Sequence, residues 1–320
     1  MAVLEMGKCM IGKGARFIAF LSLAGWLASA PMGFLAAFAV WPAPASAATG
    51  RIWIESGGVS RSAILVQHRR LKQARRPVVI VLRSGKERRP HRRLFGLEEM
   101  ARSSGPILLY PDPAAGHWSD APGHEASRDQ AFIRDLIGKL VSDGIADRRR
   151  IFIVGISSGG LTALRLACTE STMFAGAAAI TASLPADLAV NCRPSRPLPL
   201  MMIAGTHDPL VPFLGGKANL PDSKLELLPV QATLGVFGKA AGCGEGHTTT
   251  VFPDRDPNDG TRVFFDKLNG CAAPVELVRI EGGGHAIPGH GNGAEAAIGP
   301  RNSDVDSAKL IWDFFRRLGG

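Results

Sequence analysis

Past residue 50 this 320-residue chain has no apolar stretch long enough to span a bilayer, so no stable membrane span is expected in the mature chain. It shows no internal repeat and no Ser/Thr-rich linker, which leaves a repeat array or a tethered second domain without support. Metal-ligand spacings are missing too. His117, His124, His285 and His290 form neither His-Glu-x-x-His nor a cysteine-paired set, so a zinc hydrolase is not expected. Aromatic residues are few, at 7%, and no series of them interleaves with the basic residues. The stacking platform that single-stranded nucleic acid requires is therefore absent, and no nucleic-acid partner is expected. Acids are scarce in residues 51–102, which hold 14 Lys/Arg against four Glu. That composition reads as a solvated arginine-rich surface, with a weak contact with anionic surfaces as the further partner it suggests.

Residues 1–47 carry the pattern of an export signal peptide. Lys8, Lys13 and Arg16 precede an apolar stretch from Phe17, and Ala45-Ser46-Ala47 has the small residues of a cleavage site. The stretch runs to Val40, so an uncleaved anchor is the alternative; no Leu-x-x-Cys precedes the mature start, so a lipid anchor is not expected. Residues 48–320 suffice for a single large domain with a buried core. The 38 glycines and 22 prolines, spread along the chain, suit a loop-rich α/β enzyme rather than a helical bundle. Apart from Cys9 in the leader, Cys168, Cys192, Cys243 and Cys271 remain. An even number in an exported chain favours disulfides, with three pairings open.

Apolar runs predict strands at 61–67, 77–82, 107–110, 151–154, 176–180, 198–204 and 275–280. Helical spacing predicts a short helix over 94–102, a longer one carrying Ala131, Ile133, Leu136, Ile137 and Leu140, one from Leu161 to Ala167, and an amphipathic one over 307–318. Residues 212–270 read as mixed. Strands alternating with helices predict a mostly parallel sheet covered on both faces.

The stretch 151–167 organises the rest. Four apolar residues, Ile151 to Val154, lead into Gly155-Ile156-Ser157-Ser158-Gly159, a G-x-S-x-G match that opens a helix. A serine on a sharp strand-to-helix turn needs neighbours without Cβ atoms, and the turn leaves its hydroxyl clear of the sheet. An ordinary serine hydroxyl is a poor nucleophile and needs a base, itself oriented by a carboxylate. Such a turn is followed in chain order by acid and then histidine, on loops at strand ends. Asp208 and His285 satisfy this, each a few residues after an apolar strand and beside glycine or proline. His207 is adjacent to Asp208 and points elsewhere, His290 lies in a glycine-rich loop, and no apolar strand delivers Asp187. The Ser158 N–H stands where an oxyanion would form. Asp254, Asp256, Asn258 and Asp259 cluster before Gly260, but an EF-hand would need Gly and Glu where Asp259 and Phe265 stand. A turn held by Asx hydrogen bonds is expected there.

These motifs resemble the exported esterase and polyhydroxybutyrate-depolymerase family of α/β-hydrolases, which also contains feruloyl and acetylxylan esterases. The carriers are Gly-Ile-Ser-Ser-Gly-Gly-Leu at 155–161, Leu166-Ala167-Cys168, Gly-Thr-His-Asp-Pro-Leu-Val-Pro-Phe at 205–213, Asp-Pro-Asn-Asp-Gly-Thr-Arg-Val at 256–263, Glu-Gly-Gly-Gly-His at 281–285 with Pro288-Gly289, and Ile311-Trp312-Asp313-Phe314-Phe315. The resemblance spans most of residues 60–318. It implies an α/β-hydrolase fold with a mostly parallel central sheet and helices on both faces, Ser157 as nucleophile, Asp208 as acid and His285 as base. Family members usually carry His-Gly after the strand that ends here at Leu82, and that loop supplies the second oxyanion donor; this chain has Arg83-Ser84-Gly85, which assigns the donor to the N–H of Gly85 or Ser84. Where the family often has Trp two residues after the catalytic histidine, this chain has Ile287. Sequential placement, together with the family pattern at Cys168, pairs Cys168 with Cys192 and Cys243 with Cys271.

The expectation is a secreted or periplasmic serine esterase that needs no cofactor and takes a small ester or oligoester. Arg83, Trp118 and Ile287 are the expected substrate contacts. Depolymerisation of an extracellular polyhydroxyalkanoate is one alternative; a non-catalytic hydrolase-like protein binding an anionic envelope polymer is the other.

Overall fold

Runs of β-branched and aliphatic residues build the centre of the molecule, and their alternation divides its core in two. In the computed structural model, which describes residues 47–68, 75–83, 96–102, 105–114, 116–118, 124–220, 223–289 and 297–320, Ile80 and Leu82 face one layer while Val79 and Val81 face the other. The expected signal peptide lies outside the described residues up to residue 46, as do Ser84, Gly85 and His290.

The strands are β1 (Ala47–Ser56), β2 (Val59–His68), β3 (Arg76–Leu82), β4 (Ile107–Pro111), β5 (Ala146–Ile156), β6 (Gly176–Ile180), β7 (Leu200–Gly205), β8 (Gly216–Lys217), β9 (Glu226–Leu227), β10 (His247–Val251), β11 (Arg262–Leu268) and β12 (Val275–Glu281). The helices are α1 (Leu97–Arg102), α2 (His124–Ser142), α3 (Ser158–Thr169), α4 (Ala186–Ala189), α5 (Val230–Ala240) and α6 (Ser307–Arg317). Ten strands form one sheet in the order β1-β2-β4-β3-β5-β6-β7-β12-β11-β10. Its centre, from β4 to β12, is parallel, and both flanks are antiparallel. This is an α/β-hydrolase fold.

Helices α2, α3 and α5 bury Phe132, Leu136, Leu164 and Phe237 against one face. On the other face α1 and α6 bury Leu97, Ile311, Phe314 and Phe315, and Phe315 stacks on Phe152 with ring centroids 4.6 Å apart. At about 1.5–3 kcal/mol for each fully buried large apolar side chain, these layers are the main source of stability. Parallel strands buried on both faces need side chains that are apolar throughout, which is why β3, β5, β6 and β7 read as continuous runs. Residues 44–320 group as one compact unit.

Several elements lie in stretches that pattern alone left unassigned or mixed, among them β1, α5, β10 and β11. β1 extends the sheet past β2 with Ile52, Ile54 and Ser56 turned inward among exposed Arg51, Trp53 and Glu55. Helix α5 is broken in pattern by Gly235 and Gly238. β10, His-Thr-Thr-Thr-Val, is exposed along its whole length and is held by pairing to β11 rather than by burial. Strand β5 begins five residues earlier than its apolar run, at Ala146.

Cys168 is bonded to Cys192 and Cys243 to Cys271. Among the described residues no helix is long and apolar enough to cross a membrane.

Candidate active site

The parallel strands all present their C-terminal ends on one edge of the sheet, where the end of β3 meets the segments that follow β5, β7 and β12. At the end of β5, Ser157 adopts φ 55 and ψ −124, a left-handed conformation that non-glycine residues rarely hold. Such strain costs on the order of 1–3 kcal/mol and persists only where the surroundings fix it. The Ser157 N–H donates to the Ile180 carbonyl at 2.9 Å, and its own carbonyl accepts from the Leu161 N–H at 3.0 Å, so strand and helix grip it from both sides. Gly159 completes the turn. A Cβ there would lie 2.2 Å from the Leu82 carbonyl oxygen and 2.7 Å from that of Arg83, so only glycine lets α3 approach β3 this closely.

Asp208 follows β7 by three residues, and its two carboxylate oxygens have different work. Oδ1 accepts the backbone N–H groups of Leu210 and Val211, both at 2.8 Å. Oδ2 is left for His285, whose Nδ1 lies 2.7 Å away. An ionised carboxylate only accepts, so Nδ1 carries the hydrogen and Nε2 is the acceptor. Ser157 Oγ stands 2.9 Å from that Nε2. Ser157 and Asp208 are buried at 6% and 7% exposure, and the His285 side chain at 8%. Ser157, His285 and Asp208 thus form one largely buried chain of hydrogen bonds.

The loops carrying acid and base are laced to each other. The His207 N–H donates to the Gly283 carbonyl at 2.8 Å, and the Gly282 N–H donates to Thr206 Oγ1 at 3.0 Å. The His207 side chain itself is exposed, beside Thr206 Oγ1.

Behind the histidine loop lies a polar network that the sequence motifs did not reveal. The Gly284 and His285 N–H groups donate to the carbonyls of Pro300 and Ile298, and the Gly289 N–H to that of Asn302. Asn302 is in turn fixed by Asp304 and Thr261: its Nδ2 donates to Asp304 Oδ2 and to Thr261 Oγ1, both at 2.8 Å. Asp304 Oδ1 accepts the backbone N–H groups of Arg255 and Asp256, and Asp259 accepts those of Thr261 and Ser303. The acidic segment 254–259 therefore forms Asx-type turns that brace the histidine loop. Its partners stand some 45 residues away in sequence, so no local motif announces them; the run Asn302-Ser303-Asp304 just ahead of α6, whose first and last residues are buried, is the available signal.

The expected substrate contacts divide. Arg83 leaves β3 beside the nucleophile turn, its side chain 13% exposed, with Nη2 3.7 Å from Asp112 Oδ1 and Nε buried without a hydrogen bond. Asp112 is held more closely by Arg51 and Ser62. Ile287 is half-buried against the α6 side of the core. Trp118, expected at the substrate, is instead 2% exposed within the same core cluster as Phe132. It packs the core because burying a large indole gains more than a polar loop can offer it. Ser158 is the first residue of α3, next to the nucleophile; Gly85 is outside the described residues.

The profile of the Phospholipase/Carboxylesterase family matches residues 120–222. A protein of Nocardia uniformis subsp. tsuyamanensis named "Putative esterase NocK" is 30% identical over 264 residues, covering 77% of this chain and 75% of that protein. Feruloyl esterase B of Piromyces equi is 26% identical over 226 residues, which is 68% of this chain but 37% of the relative. Among solved structures, a chain from a study of two prolyl endopeptidases superposes over 85% of this chain and 39% of its own length with a TM-score of 0.52 at 14% identity, a likeness of fold alone.

The Asp304 network is testable through pH. Burial works to raise the Asp304 carboxyl pKa, but hydrogen bonds from the Arg255 N–H, the Asn302 amide and the Asp256 N–H outweigh it and hold the value below the ordinary 3.8. A carboxyl lowered in the folded state adds stability that is complete above its unfolded value and is lost as pH falls through the folded one. In Asp304→Asn the new amide sets an NH2 against the Asn302 NH2, and the expected cost at pH 7 is about 1–3 kcal/mol. Urea denaturation should show this gap narrowing at about pH 3. A gap that stays constant down to that pH would contradict the role assigned to the carboxylate.

Proposed function

Because the chain belongs to the esterases of the α/β-hydrolase family, which hydrolyse carboxylic ester bonds, we propose that it is an exported serine esterase working through Ser157, His285 and Asp208. The observation that carries this reading is the continuous relay from Ser157 Oγ to His285 Nε2 at 2.9 Å and from Nδ1 to Asp208 Oδ2 at 2.7 Å.

In this mechanism His285 Nε2 takes the hydroxyl proton as Ser157 Oγ attacks the ester carbonyl. Asp208 holds the imidazole in the competent tautomer and stabilises the imidazolium that forms. The oxyanion develops toward the Ser158 N–H at the positive end of α3, with the N–H of Gly85 or Ser84 as the second donor that the family resemblance implies; one such donor is typically worth about 10²–10³ in rate. His285 returns the proton to the departing alcohol, leaving the acyl group on Ser157. A water molecule, deprotonated by His285, then repeats the attack and releases the acid.

The substrate is a small ester or oligoester, and relatives named feruloyl esterases make hydroxycinnamate esters the first to test. No observation favours polyester depolymerisation, and a non-catalytic role leaves the relay without a purpose. Two disulfides in local loops, together with the basic and then apolar N-terminal pattern, support an oxidising compartment outside the cytoplasm.

Ser157→Ala tests the nucleophile: turnover of a p-nitrophenyl ester should fall by several orders of magnitude, about 10⁶ in a comparable triad, with the fold intact by circular dichroism. More than a few per cent of residual activity would refute the assignment.

Arg83 gives the specificity prediction. Its guanidinium is loosely paired, and its backbone abuts the nucleophile turn. A substrate carboxylate would complete its hydrogen bonds. Arg83→Ala should then lower kcat/KM for a carboxylate-bearing ester more than for its neutral analogue. The difference should be about ten- to a hundredfold, as one charge-assisted contact of about 1.5–3 kcal/mol requires. Equal losses on both esters would make Arg83 a structural residue.

A further inference from the structure

At the opposite end of β5 from Ser157, the chain gathers positive charge that Asp147, beside Arg149 and Arg150, offsets only in part. Arg148 and Arg149, in the first turns of the strand's polar extension, and Arg196, in the segment before β7, line one cavity of about 420 Å³. Its wall is the turn Thr172 to Phe174. Two of the three guanidiniums are fixed by that turn. Arg148 Nη1 donates to the carbonyls of Thr172 and Met173, at 3.4 and 3.3 Å, and Arg196 Nη2 donates to that of Phe174. Each guanidinium has five N–H donors, so most remain for a further acceptor.

The acids closest in sequence are engaged elsewhere. Asp147 accepts from the Arg150 side chain and the Arg149 backbone N–H, and Glu170 pairs with Arg134. Among the described residues, Arg148, Arg149 and Arg196 have no carboxylate within ion-pair distance. All three side chains are exposed, so solvent screens their mutual repulsion, and an anion between them would relieve what remains. Planar guanidinium forks match the oxygens of a phosphate group.

We propose that this cavity binds a phosphomonoester, with the phosphate dianion held by Arg148, Arg149 and Arg196. The volume falls in the usual range for small-molecule sites, which allows an organic group beside the phosphate. The site lies far from the ester chemistry: Ser157 stands eight residue steps along the strand from Arg149, roughly 26 Å at about 3.3 Å per residue. Occupancy would leave the esterase centre open, so the enzyme could be retained on a phosphate-bearing ligand while it turns over esters. The same chemistry is presented by a free phosphomonoester and by the headgroup of phosphatidic acid.

The test is binding to the intact mature protein, independent of turnover. Isothermal titration with glycerol 3-phosphate reads the free ligand. Cosedimentation with phosphatidylcholine vesicles, with and without phosphatidic acid, reads the headgroup. Binding in either arm that weakens at least tenfold in Arg148→Ala/Arg196→Ala, with p-nitrophenyl ester hydrolysis unchanged, is the expected result; the arm that responds identifies the source. Arg149→Glu, whose side chain makes no hydrogen bond to the 172–174 turn, provides a second variant should the double one fail to fold, and it should also weaken binding at least tenfold. Absence of binding in both arms, or affinities that stay within twofold in the variants, would overturn the proposal.

Discussion

The backbone of Ser157 is held where a serine does not rest by preference, and much of the active-site edge follows from that constraint. A left-handed serine between β5 and α3 requires Ile180 of the neighbouring strand to accept its N–H and requires Gly159 to let the helix close on Leu82 and Arg83. The stored strain, on the order of 1–3 kcal/mol, is small against the apolar layers that clamp β5 from both faces. The same closure brings the end of β3 against the nucleophile turn. Arg83 therefore stands beside the Ser157 turn, whether its guanidinium serves a substrate or only Asp112.

A rigid serine is of use only if the imidazole is equally well placed. His285 sits on a glycine-rich loop, Gly282-Gly283-Gly284, with little side-chain packing of its own to fix it. Its position is set instead by three sets of hydrogen bonds: to Asp208 through the ring, to the acid loop through His207 and Thr206, and to residues 298–302 through the backbone. The last set depends on Asn302 and Asp304, which satisfy buried donors from segments far apart in the chain. Half-satisfied networks are costly in a low-dielectric interior, so this bracing tends to be complete or to fail as a unit.

How much of this could be read from the residues follows from how local each feature is. Ser157, Asp208 and His285 each follow an apolar strand within a few residues, so sequence alone could nominate them, and the structure brings all three within hydrogen-bond reach. The parallel centre was legible for the same reason: strands buried on both faces are apolar throughout. The flanks were not. β10 is exposed at every position and exists through pairing with β11, β1 packs only two large apolar residues inward, and α5 is interrupted by glycines. Trp118 sat in a polar stretch whose neighbours gave no hint that the chain turns back into the core there. The Asp304 brace was invisible because its partners meet only after folding.

The central claim is that Ser157 is the activated nucleophile, and covalent labelling tests it most directly. A fluorophosphonate reacts with a serine that has a competent base beside it, and peptide mapping identifies the residue modified. The account predicts a single adduct, on the peptide containing Ser157, formed in step with the loss of ester hydrolysis. An adduct on a different serine, or full loss of hydrolysis with Ser157 unmodified, would contradict it.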